Sequence, residues 1–199
     1  AGVGQAFTMR NTSFEPGLHI GGRALLRFAT AEDSVIGHTE THGNIDNFGW
    51  HFGVSYKDFG DLEAGSGVGN LPGTGYDELD GDLALTWLLT ERDTLSFGAQ
   101  QNHLDDVPRT HSTVNAVSWR GTTAGSDLLR EHDHRRQLYF LEWERTDGGF
   151  FDDFRGTLAY KDRYEREDRV RSSGNRQINV LDVKTLGALA QFTTDVGSG

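Results

Sequence analysis

Phe48-Gly49-Trp50-His51-Phe52-Gly53-Val54-Ser55-Tyr56-Lys57-Asp58 is the stretch that decides the fold. Every second residue from Phe48 to Tyr56 is large and apolar or aromatic, while Gly49, His51, Gly53, Ser55 and Lys57 fill the alternate positions. Successive side chains of a strand point to opposite faces, so this spacing predicts one ribbon with an oily side and a wet side. A helix would scatter the same residues around its axis.

The pattern repeats in both directions. Leu79, Leu83, Leu85, Trp87 and Leu89 alternate with Asp80, Asp82, Ala84 and Thr86, and Leu95, Phe97 and Ala99 with Thr94, Ser96, Gly98, Gln100 and Asn102. Weaker versions set Ala24, Leu26 and Phe28 against Arg23, Arg27 and Thr30, and Tyr139, Leu141 and Trp143 against Phe140, Glu142 and Glu144. Near the end, Phe154, Leu158 and Tyr160 oppose Arg155, Thr157, Lys161 and Arg163, and Leu186, Ala188, Ala190 and Phe192 oppose Thr185, Gly187 and Gln191. A polar strand is expected over 35–42 and a first one over 3–10. About eight or nine strands result.

Connections distinguish the architectures. Short turns are expected at 43–47, 90–93 and 146–153, the last containing Asp147-Gly148-Gly149. Long polar loops are expected at 59–78, 104–135 and 165–179. Compact soluble domains seldom carry several long structureless loops, whereas transmembrane barrels have short turns at one rim and long loops at the other. Strands of about 9–11 residues suit a membrane crossing, and Trp50, Tyr56, Trp87, Tyr139, Trp143 and Tyr160 suit an interfacial girdle. The expected fold is therefore all-β, an antiparallel up-and-down meander forming a partial transmembrane β-barrel. Alternating aromatics packing a soluble sandwich is the competing reading.

Composition narrows the function. With 35% hydrophobic and 11% aromatic residues and 26 Gly, the chain is too aromatic for disorder and too polar for a conventional sandwich core. Absence of cysteine excludes disulfides, thiolate metal sites and cysteine nucleophiles. A net charge of −11 makes nucleic acid an improbable partner. Acid pairs such as Asp105/Asp106, Asp152/Asp153 and Asp80/Asp82 fall at expected turns or polar faces, where solvated acids belong. No catalytic residue is assigned, and the chain is not read as an enzyme. The stretch Gly65-Ser66-Gly67-Val68-Gly69-Asn70 lacks the following helix that a phosphate cradle needs. His132 and His134 share a strand face and invite a metal reading, but no metal or cofactor is assigned.

Several segments in order resemble the barrel of TonB-dependent outer-membrane receptors. They are Gly22-Arg23, Arg27-Phe28-Ala29-Thr30-Ala31-Glu32-Asp33-Ser34, Phe59-Gly60-Asp61-Leu62-Glu63-Ala64-Gly65 and Thr74-Gly75-Tyr76. Gln100-Gln101 leading to Asp105-Asp106-Val107-Pro108-Arg109-Thr110-His111, then Arg135-Arg136-Gln137-Leu138-Tyr139 and 155–166, complete the series. The resemblance covers residues 20–193. It implies an outer-membrane location, contact with lipid, and energised uptake of an iron-siderophore, haem or cobalamin-like ligand. It also implies coupling to the TonB complex through a plug domain that nothing in this chain matches. The whole chain, 1–199, is then expected to be a single internal section, roughly the first third of such a barrel. Tyr76, His103, His111, His132 and His134 are the expected ligand contacts, on extracellular loops. Two further readings stand beside it: a non-energised porin-like barrel, and a soluble all-β ligand-binding module.

Overall fold

The computed structural model describes residues 14–65, 67–118, 121 and 123–194. Its strands are β1 (Leu18–Ala29), β2 (Ser34–Ile45), β3 (Phe48–Phe59), β4 (Leu62–Ala64), β5 (Gly69–Leu71), β6 (Tyr76–Leu88), β7 (Asp93–Pro108), β8 (Leu129–Thr146), β9 (Asp153–Val170) and β10 (Arg176–Thr193). Eight of them form one antiparallel sheet in the order β1-β2-β3-β6-β7-β8-β9-β10, and β4 pairs with β5 in a small separate ribbon. Each main strand lies beside its neighbour in the chain, which is an up-and-down meander. The sheet is open: β1 and β10 each have one partner. The strand expected over 3–10 lies outside the described residues.

Register carries the alternation from strand to strand. Phe48 pairs with Trp87, Trp87 with Leu95, Leu95 with Trp143, Trp143 with Gly156 and Gly156 with Ala190. The next level runs Trp50, Leu85, Phe97, Leu141, Leu158 and Ala188, and the third Phe52, Leu83, Ala99, Tyr139, Tyr160 and Leu186. One step further the row becomes Val54, Gly81, Gln101, Gln137, Asp162 and Lys184, polar over β7 to β10. A one-residue slip in any pairing would invert a strand's faces, so the register and the belt define each other.

The two faces of this sheet differ in burial. Among the described residues no hydrophobic side chain is buried, while Ser34, Asn44, His51, Thr86, Ser96 and Glu142 on the polar face are. On the apolar face Trp87 is 49% exposed, Leu141 43% and Leu158 55%. Among the described residues no second layer covers the belt.

Three loop expectations need correction. The connection expected over 165–179 is mostly strand: β9 runs to Val170 and β10 starts at Arg176, leaving the turn 171–175. The connection expected over 104–135 shrinks to 109–128, because β7 and β8 pair up to Pro108 and Glu131 across a bulge between Leu104 and Val107. The turn expected at 43–47 is only 46–47, and Thr30, assigned to a strand face, lies in the turn 30–33. Both charged extensions resemble loops in the sequence because they carry no apolar alternation. Backbone pairing does not require an apolar face once a strand leaves the belt. The loop rims therefore alternate only partly. At one end lie 46–47, 89–92 and 147–152; at the other, the long 60–75 and 109–128 accompany the short 30–33 and 171–175.

Candidate functional site

The polar face is the chemically equipped surface, and its residues come from the same alternation. On β6, Glu78, Asp80 and Asp82 descend one face. Lys57 of β3 reaches Glu78 at 2.8 Å and Asp80 at 2.7 Å, and the Asn102 amide of β7 donates to Asp80 at 2.6 Å. Across β7, the bases Arg136, Lys161 and Arg163 occupy corresponding levels on β8 and β9. Acids thus stand on one flank of the wall and bases on the other, with Gln100 and Asn102 between them.

Near β1 to β3 the wall is rich in histidine. A cavity of about 280 Å³ is lined by Arg23, His38, Glu40, His51, Asp82 and Gln100 among others. His51 is 8% exposed, and its Nδ1 lies 2.8 Å from Asp82 Oδ2. Gly53 makes that approach feasible, because a Cβ there would sit 2.6 Å from Asp82 Oδ1. His38 places Nδ1 2.8 Å from Ser55 Oγ and Nε2 3.2 Å from Glu40 Oε2.

The five residues expected to contact ligand are only partly gathered. His132 and His134 do share a face of β8 and stack at 5.7 Å between ring centroids. Glu167 and Glu165 lie opposite them, at 3.8 and 3.5 Å. This end of β8 projects past the apolar belt. There burial, reinforced by the cations of Arg109 and Arg130, pushes His132 below the usual imidazole range. Tyr76 opens β6 on the same face and stacks on Phe59 at 4.8 Å. His103 points to the opposite face, next to Leu79 and Arg135 in register, and pairs with Asp105 at 3.0 Å. His111 is exposed in the short 3-10 turn Thr110–Ser112. Four of the five are on strands, not loops; only His111 occupies a loop.

Sequence reading passed over His38, Glu40 and His51. The signal was present in the alternation His38-x-Glu40-x-His42 on a strand recognised only as polar, but their meeting with His51 depends on cross-strand register. Among the described residues, no group of three His, Asp or Glu side chains is placed so that it could hold a metal ion.

Where the strands project beyond the belt, ion pairs replace apolar contacts. Asp168, 1% exposed, lies between Arg166 at 2.7 Å and Arg176, whose Nε is 2.9 Å away. The hydrogen bond from Arg176 holds the Asp168 carboxyl below the usual carboxylate range. Asp127, at the end of the loop 109–128, is clasped by the Arg169 fork at 2.8 and 2.9 Å. Thr110 donates to the Gly73 carbonyl, tying the two long loops together. Comparison with family models, curated proteins and solved structures gives no match for this chain.

Proposed function

We propose that the chain is a wall section of a TonB-dependent outer-membrane receptor, serving energised uptake of a scarce solute of the iron-siderophore, haem or cobalamin class. The observation that carries the membrane part is the sheltered polar face opposite an open belt of three continuous apolar rows. Water penalises that arrangement and hydrocarbon favours it. The receptor class rests on the ordered motifs from Gly22 to Arg166, and energised transport is what the resemblance implies.

A membrane location also requires strands to be added at β1 and β10, because hydrocarbon cannot satisfy a free sheet edge. In this reading the long loops face outward and the polar wall lines the path, where a plug and its TonB contact would gate passage. Tyr76, His132 and His134 lie on the solute's side of the wall, and His111 lies at its rim. His103 lies on the outer side of the sheet and is the weakest of the five as a solute contact.

Uptake of labelled ferric siderophore, haem and cobalamin by cells producing the protein tests the proposal. Uptake of one ligand that stops on collapse of the inner-membrane proton gradient is expected. Passage indifferent to that gradient would instead identify a porin-like barrel, and recovery of the protein in the detergent-free soluble fraction would identify a soluble module.

A further inference from the structure

We propose that a groove crossing the polar face from β6 to β9 binds an extended zwitterionic solute of peptide-like form, its carboxylate against Arg136, Lys161 and Arg163 and its ammonium towards Asp80 and Asp82. The inference rests on the geometry of this face and not on the receptor reading: a receptor, a porin-like barrel and a soluble module would each present the same groove.

Register builds the groove. Asp80, Asn102, Arg136 and Arg163 pair in one row across β6, β7, β8 and β9. Asp82, Gln100, Leu138 and Lys161 pair in the row two residues along. Both rows stand on the polar face. Between them, Gly81 has no side chain, and Gln101, Gln137 and Asp162 point to the other face, so backbone floors the gap. The two rows and their floor line one open cavity of about 680 Å³.

Charge is sorted along its length. At the β6 end, Lys57 is shared between Glu78 and Asp80 at 2.8 and 2.7 Å, and Asp82 meets His51 at 2.8 Å. Three half-buried carboxylates there face one lysine and one histidine. At the β8–β9 end the balance is reversed. Arg163 binds Glu165 at 2.7 Å, and the same carboxylate lies 3.9 Å from Arg136 and 3.5 Å from His134. Lys161 has no hydrogen-bond or ion-pair partner among the described residues. Arg136, Lys161 and Arg163 are all exposed.

A simple anion drawn to the basic end would leave the acids without a partner, and a simple cation would leave the bases without one. A solute with both charges satisfies the two ends together. Neighbouring strands lie about 4.8 Å apart, which puts β8 roughly 10 Å and β9 roughly 14 Å from β6. An extended peptide advances about 3.3 Å per residue, so three or four residues match the span. Midway, the Asn102 amide nitrogen already donates to Asp80 at 2.6 Å, leaving its carbonyl oxygen to accept from a peptide N–H.

The test is equilibrium dialysis of radiolabelled tetraglycine against the full chain in detergent micelles, at low ionic strength. Saturable binding at one peptide per chain is expected, weakening as salt is added. N-acetyl-tetraglycine, which lacks the ammonium, and tetraglycine amide, which lacks the carboxylate, are each expected to bind about three- to tenfold more weakly. Lys161→Gln and Asp82→Asn are each expected to lower tetraglycine affinity by a similar factor. Lys184→Gln, on the opposite face, leaves it unchanged. Far-UV circular dichroism verifies folding; should Asp82→Asn misfold, the exposed, unpartnered Lys161 and the two capped peptides decide. Absence of saturable binding would overturn the proposal, as would equal loss on Lys184→Gln. Undiminished binding of the acetylated peptide would reduce the groove to an anion site, and undiminished binding of the amide to a cation site; either result defeats the zwitterion.

Discussion

At the residue scale, small side chains and aspartates solve local problems that alternation alone creates. All four described non-glycine residues with positive φ are aspartates: Asp33, Asp46, Asp106 and Asp147. Three sit in turns, and Asp106 sits in the β7 bulge, where its N–H donates to Asp133 at 3.1 Å. A short polar side chain tolerates that left-handed conformation better than most. The pair Asp105/Asp106, suggestive of acid catalysis in one dimension, therefore has a backbone role at Asp106. Gly98 is needed for a different reason: a Cβ there would lie 2.1 Å from the Phe140 ring across the pair. Gly98→Val forces that ring away and costs about 1–3 kcal/mol, measured by urea unfolding in lipid vesicles. Asp168→Asn tests the ion-pair lattice. Because the folded carboxyl of Asp168 is depressed, its contribution is present above about pH 4, the unfolded value, and is lost as pH falls through the lower folded value. Amide exchange in 165–180 is expected to accelerate on acidification in that window in the wild type. The variant, with no carboxylate to protonate at 168, is expected to exchange faster at neutral pH and to lose this part of the acid dependence.

At the element scale, the main strands run for 12 to 18 residues, β2 being largely polar, and β7, β8 and β9 continue beyond the apolar belt as polar ribbon. β3 was legible in full because its alternation spans nearly the whole strand, Phe48–Phe59. β9 was legible only from Phe154 to Arg163, since beyond it Tyr164, Arg166 and Asp168 face outward where apolar residues would have signalled a strand. Cross-strand ion pairs hold that part, and ion pairing leaves no periodic mark in one sequence. The histidines were legible as residues but not as a group: spacing joined His132 to His134, and only register brings His51 towards Glu40. Belt position makes a sharp prediction for β8. Leu141→Arg, in the middle apolar row, is expected to destabilise the protein by about 2–4 kcal/mol in vesicles, as for a cation near the bilayer midplane. Gln100→Arg, on the wet face of β7, is expected to change stability by less than about 0.5 kcal/mol. Equal, small effects would mean that water covers both faces.

At the scale of the whole molecule, eight strands form an open sheet with one largely apolar and one polar face. The meander was readable from short turns and successive alternation, whereas the open sheet's polar shelter emerged only from register and burial. The chain has no cysteine, so single cysteines can be placed anywhere and spin-labelled without background. The decisive measurement is the accessibility of such labels to oxygen and to a nickel chelate in lipid vesicles. Labels at Leu85, Phe97, Leu141 and Leu158 are expected to meet oxygen but not nickel, and labels at Ala84, Gln100 and Thr157 to meet nickel. Nickel reaching both sets alike, or the first set hidden from both reagents, would contradict a lipid-facing belt.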